Sequence, residues 1–152
     1  MRNLKDEFVL LKIIRHRHYL PCCFEALIYL VICKLWIICR PFNSYAKKFG
    51  VAQCETLKSE MTSRQHELNA IRLALRVVPH YLPWKSVCLD QAMAAQRMVV
   101  RRGIQSTLYF GMARVEDQSL MAHAWLRSGN KWIVGYQPNM IYSIVGAYAW
   151  FK

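Results

Sequence analysis

Cys88 and His123 are the two residues on which covalent chemistry could be built. Cys88 sits two positions after Ser86, a good helix N-cap, at the head of an apolar stripe of Leu89, Ala92, Met93, Val99 and Val100. That stripe predicts a helix with the cysteine in its first turn, where unpaired backbone N–H groups and the helix dipole favour negative charge. A thiol placed there ionises more readily, and the same N–H groups can hold an oxyanion during acyl transfer. Taken alone, a cysteine at a helix start is commonly a buried structural residue. His123 lies in Met121-Ala122-His123-Ala124-Trp125-Leu126. On a strand, Met121, His123, Trp125 and Arg127 share one face, and Leu120, Ala122, Ala124 and Leu126 share the other. The second face, small and apolar, suits packing against helices. A lone strand histidine is commonly a hydrogen-bonded structural residue. The order of a helix-start cysteine followed by a strand histidine is nevertheless that of a Cys-His nucleophile pair.

The elements around this pair follow from periodicity and punctuation. Pro21 opens an apolar run over residues 22–39, interrupted only by Glu25 and Lys34, and Arg40-Pro41 closes it. A membrane span needs about 20 apolar residues and penalises interior charge, so the run is expected as a helix buried in a protein core, with membrane contact a minor reading. Residues 43–60 are more polar and predict a short helix and a loop broken at Gly50. Thr62 and Gln65 have the capping-box spacing, ahead of Leu68, Ile71, Leu75 and Val78, and Pro79 ends that helix. Residues 80–84 form a rigid connector. The Cys88 helix closes with Arg101-Arg102 and a left-handed cap at Gly103. Strands are then expected over 104–113, 120–127 and 131–136, with turns at 116–119 and 128–130 and another strand within 137–152. Helices followed by an antiparallel meander make an α+β fold. The organisation is one domain overall: an N-terminal helical region, 1–60, packed on a core, 61–152.

Composition narrows the function classes. The 152 residues are 55% hydrophobic and 20% charged, with 5 Trp, 8 Tyr and 6 Phe, which excludes a disordered chain. Lys and Arg total 21 against 9 Asp and Glu, a net charge of +12 that calls for acidic surroundings. The cations are scattered rather than gathered with spaced aromatics, so nucleic acid is not expected as a partner. Six cysteines (Cys22, Cys23, Cys33, Cys39, Cys54 and Cys88) occur without a C-x-x-C pair or an adjacent histidine at ligand spacing. No metal site and no cofactor are expected, and with no secretory signal apparent the expected location is the reducing cytoplasm.

Cys88-Leu89-Asp90-Gln91-Ala92, then Arg101-Arg102-Gly103-Ile104, Gly111 and Ala122-His123-Ala124-Trp125, resemble the transglutaminase-like cysteine peptidases that process lasso-peptide precursors. Glu25-Ala26-Leu27, Arg40-Pro41-Phe42 and Leu82-Pro83-Trp84 are similar to that family as well. The resemblance spans roughly residues 22–136. It implies a papain-like core with the cysteine helix packed on an antiparallel sheet, Cys88 as nucleophile, and His123 as general base and later acid. It further implies removal of the leader segment from a precursor peptide, so that a separate ATP-dependent cyclase can close the macrolactam. The expected form is a stand-alone peptidase that works with a separate leader-recognition protein.

The departure from that family is the third triad member, an Asp on the strand after the histidine: no Asp or Glu occurs over 118–152. A three-residue hairpin loop places Gly135 opposite His123, and a two-residue loop places Tyr136 there. Gln137 and Asn139 are the side-chain amides available to orient the imidazole, though beside Pro138 both also read as turn residues. Loss of the orienting acid can cost orders of magnitude in rate. This leaves a catalytically impaired peptide-binding scaffold, or a basic peripheral membrane protein, as the rival readings. Asp90 reads as a first-turn acid, Arg97, Arg101 and Arg102 as a solvated face, and Gly111 as a bulge or a close approach of substrate backbone. His16, His18, His66 and His80 show no partner in sequence.

Overall fold

The computed structural model describes residues 17–59, 64–114 and 119–151. Helix α1 spans Leu20–Cys39, α2 spans Phe42–Ala46, α3 spans Gln65–Val77 and α4 spans Cys88–Arg101. The strands are β1 (Val51–Ala52), β2 (Ser106–Arg114), β3 (Leu120–Ser128), β4 (Lys131–Val134) and β5 (Ser143–Trp150). The N-terminal helices and the following antiparallel sheet are the expected α+β arrangement. The proposed capping residue Thr62, His16 and most of the 116–119 turn lie outside the described residues, as does the side chain of His18.

Pro21 enters the first turn of α1, where its missing N–H costs nothing, and extended Arg40 ahead of Pro41 ends the helix. Its contact stripe is narrow. Cys22, Glu25, Ala26, Leu30 and Cys33 are buried, whereas Phe24 is 65% and Ile38 68% exposed. The expectation of a helix enclosed by the core is therefore corrected: one side is covered, and the opposite apolar side faces outward. By length and composition alone the helix could cross a membrane.

Helix α4 is central. Ala92, Met93, Ala95, Met98 and Val99 are fully buried and meet Ala26, Leu30 and Cys33 of α1, Leu68, Ile71 and Leu75 of α3, and Leu108, Ala124, Leu126 and Ile133 of the sheet in one core. Ala92 and Ala95 on the helix and Ala124 on the sheet let the two approach closely. Arg102 is not part of a solvated face. Its Nη1 and Nη2 donate to Glu25 Oε1 and Oε2 at 3.0 and 2.6 Å, pinning the end of α4 to α1. Arg101 adds a second, exposed pairing to Glu25, and the Arg97 guanidinium lies over the Trp36 ring.

The strand order is β1-β5-β2-β3-β4: β2, β3 and β4 form the expected antiparallel meander, and β5, whose place the sequence left open, pairs on the other side of β2. β4 is only four residues long and offers β5 little to pair with, whereas β2 offers nine. β5 accordingly crosses back to the free side of β2 and leaves β4 as an edge. The sheet face away from the helices carries a second apolar cluster of Tyr109, Trp125 and Ala147, flanked by Trp132 and Tyr142. Beside it Arg127, 2% exposed, is held by the Tyr109 hydroxyl, the Glu55 carboxylate and the carbonyls of Thr56 and Gly129.

Candidate active site

Cys88 is the first residue of α4, but Ser86 does not cap the helix. Val87 is the N-cap, and the capping group reaches back from the third helical position. Asp90 Oδ1 accepts from the Val87 N–H at 2.9 Å and from the Ser86 hydroxyl at 2.7 Å. The first helical bond runs from the Gln91 N–H to the Val87 carbonyl, so the N–H groups of Cys88, Leu89 and Asp90 lie outside the ladder. Asp90 is fully buried, with Oδ2 unpartnered among the described residues. Burial pushes its carboxyl above the usual range, against the lowering effect of the bonds from Ser86 and Val87. It is the first-turn acid expected there, buried and bonded into the helix start.

The level of Cys88 along the sheet follows from the connection after α4. Gly103, at φ 65, caps the helix as expected, and the short link over 102–105 folds β2 back along it. The fourteen residues of α4 climb about 21 Å at about 1.5 Å each, a height that six or seven strand residues cover at about 3.3 Å each. Starting from Ser106, that reaches Gly111 or Met112, whose partners on β3 are His123 and Ala122. On these ideal rises Cys88 lies near the level of the Gly111–His123 pair.

Across the sheet they are set apart. Ala124 and Leu126 join the helical core, whereas the His123 ring stacks with Tyr142, centroids 5.2 Å apart, and with Trp125 at 6.1 Å. No hydrogen bond links Cys88 to His123. Tyr142 is related to both residues. It stacks on the imidazole, and its phenol is pushed up by burial and by the nearby charge of an ionised Cys88.

The orienting group for His123 is a backbone carbonyl. The hairpin is two-residue, with Ser128 opposite Lys131, which by itself would bring Tyr136 opposite His123. A register shift between Leu126 and Arg127 adds a residue to β4, whose pairing ends at Val134. Gly135 then turns at φ 83, and its carbonyl accepts from His123 Nε2 at 2.5 Å. A carbonyl only accepts, so Nε2 carries the proton and the neutral ring keeps its lone pair on Nδ1. No side chain could stand at Gly135: a Cβ there would lie 2.4 Å from the Ala124 carbonyl oxygen. Gln137 accepts instead from the Tyr142 hydroxyl at 2.9 Å, and so acts on the ring stacked against His123 rather than on the imidazole itself. Asn139 makes no bond to His123.

Gly111 is not an open approach for substrate. The register on β5 shifts beside it, and the space a side chain would fill is taken by the Trp125 indole and the Tyr142 Cβ. A cleft of about 940 Å³ opens beside the β4 edge, lined by Arg72 and Arg76 of α3, by Lys85, Ser86 and Gln91 around the α4 start, and by Trp132, Gly135 and Tyr136. Ser86, Gln91 and Gly135 border it, but neither Cys88 nor His123 lines it. Among the described residues, no three His, Cys, Asp or Glu side chains gather as a metal site. Burial pushes the Cys22 and Cys33 thiols up to about 11 and about 12, which leaves them protonated at neutral pH and unsuited as nucleophiles.

Comparison with protein families matches residues 37–144, most of the chain and every element from the end of α1 to the start of β5, to the model described as the transglutaminase-like superfamily. Curated proteins and solved structures give no match.

Proposed function

The chain belongs to the transglutaminase-like superfamily, and from that premise we propose that it is a thiol peptidase that removes the leader segment of a lasso-peptide precursor. The observation that carries this reading is a histidine whose Nε2–H is held by the Gly135 carbonyl, on a sheet packed against a helix headed by Cys88. Nδ1 is then the basic nitrogen, free to take the Cys88 proton.

In the proposed reaction Cys88 Sγ attacks the scissile carbonyl and forms a thioester as the C–N bond breaks. The Cys88, Leu89 and Asp90 N–H groups are the donors available to the oxyanion. The imidazolium returns its proton to the leaving amine, and water activated by His123 then hydrolyses the thioester. Pairing requires the imidazole to leave its stack on Tyr142 when substrate enters, the tightening that unliganded catalytic geometry commonly awaits. A precursor peptide in the cleft, a separate leader-recognition protein and an ATP-dependent cyclase are the partners of this reading, in the cytoplasm. Cleavage of a precursor peptide in the presence of its recognition protein, followed by mass spectrometry, tests it. Cys88→Ala is expected to abolish processing, and undiminished processing by that variant refutes the assignment.

The second reading, a peptide-binding scaffold of the same assembly, is favoured by one observation, the absence of any Asp or Glu over 118–152. It predicts precursor binding by wild type and Cys88→Ala alike, with no cleavage by either.

A further inference from the structure

The outward side of α1 is a continuous apolar stripe. Leu20, Phe24, Leu27, Val31, Leu35 and Ile38 recur every three or four residues and are 36–68% exposed. At 100° per residue they fall within one sector along the full helix, opposite the buried Cys22, Ala26, Leu30 and Cys33. Contiguous apolar surface of this extent marks an interaction site rather than ordinary solvent-facing surface.

The charge beside the stripe has one sign. Arg17, Arg40, Lys47 and Lys48 are exposed near its two ends, and Lys34 lies half-buried at its edge. The one acid over residues 17–49, Glu25, is buried and neutralised by Arg102 and Arg101. An apolar helix face bordered by an excess of cations has the chemistry of a helix lying in the plane of an anionic bilayer, with side chains in the acyl boundary and cations at the headgroups. A second copy of the chain fits less well, because apposed α1 faces would bring two sets of these cations together in molecules of net charge +12. Spanning the bilayer is incompatible with the pinned Glu25 and the contact side of α1.

We propose that the outer face of α1 docks this protein on an anionic membrane surface. Full-length protein is mixed with vesicles of phosphatidylcholine alone, or with one quarter phosphatidylglycerol, and floated through a density gradient at low and high salt. Wild type is expected to float with the anionic vesicles at low salt, to bind neutral ones at least tenfold more weakly, and to be released by salt. Leu35→Asp combined with Ile38→Asp is expected to reduce flotation at least tenfold. Phe24→Gln tests the other end of the stripe with a milder change should the double variant fail to fold. Wild type that stays with the soluble fraction overturns the proposal, as does flotation indifferent to these substitutions. Sedimentation without vesicles decides the remaining rival: a dimer dissolved by the same substitutions would assign the face to a second copy.

Discussion

His123 Nε2 and the Gly135 carbonyl oxygen are 2.5 Å apart, so the backbone takes the place a carboxylate would hold beside an acid-base histidine. A carbonyl fixes the tautomer as an acid does, but without a full negative charge to stabilise the imidazolium. In the proposed reaction, ring placement is therefore shared with the stack on Tyr142 and Trp125, and Gln137 enters through its bond to the Tyr142 hydroxyl.

That stack depends on Gly111. A Cβ at Gly111 would lie 2.5 Å from Trp125 Cη2 and 3.2 Å from Tyr142 Cβ. The indole cannot simply swing aside, because it is also stacked on Tyr109 at 5.6 Å. Gly111→Ala is expected to cost about 1–3 kcal/mol as overpacking and to change the near-ultraviolet circular dichroism of the aromatic cluster. Precursor cleavage should fall more than stability at the assay temperature explains. Denaturant titration, the spectrum and the cleavage rate check the three effects together.

The Glu25–Arg102 pair offers a second measurement. Both oxygens and both terminal nitrogens are engaged, and the pair is largely withdrawn from solvent. Removing one partner strands the other, so Glu25→Ala is expected to destabilise by about 3 kcal/mol. Glu25→Leu with Arg102→Met removes both charges and should cost less than Glu25→Ala alone. Urea denaturation of the variants decides it, and additive losses would show that the pair acts through something other than mutual neutralisation.

Asp90 couples the helix start to pH. Its carboxyl is raised in the folded chain by burial, so the folded state binds that proton more readily than the unfolded state. Its contribution to stability is fully present below the ordinary carboxylate value and is lost as pH rises through the raised one. Asp90→Asn keeps an acceptor for Ser86 and Val87 but cannot ionise. Relative to wild type, the variant should gain stability between about pH 4 and pH 7.5, whereas Asp90→Ala should lose about 1 kcal/mol at both as the cap disappears. A difference for Asp90→Asn that is flat, or that falls with pH, would contradict the burial effect.

Much of the fold was legible because period and punctuation are local. The repeat from Leu68 through Leu75, the Cys88 helix with its Gly103 cap, and the alternation through His123 all correspond to observed elements. The N-cap was misassigned because Ser86 and Asp90 are both capping residue types, and only the folded turn shows the carboxylate doing the capping while the serine donates to it. Arg102 read as solvated because its partner Glu25 stands 77 positions away.

By itself the chain's linear pattern determined the element types, their order, and which residues are candidates for thiol chemistry, since each rests on neighbours within a turn or a strand. Tertiary structure alone decided that β5 returns to β2, that α1 keeps one apolar side outward, and that a bulge after Leu126 aims a glycine carbonyl at the imidazole. Those outcomes depend on which distant backbone or side chain competes best for the same hydrogen bond or buried surface, and sequence separation carries no record of that competition.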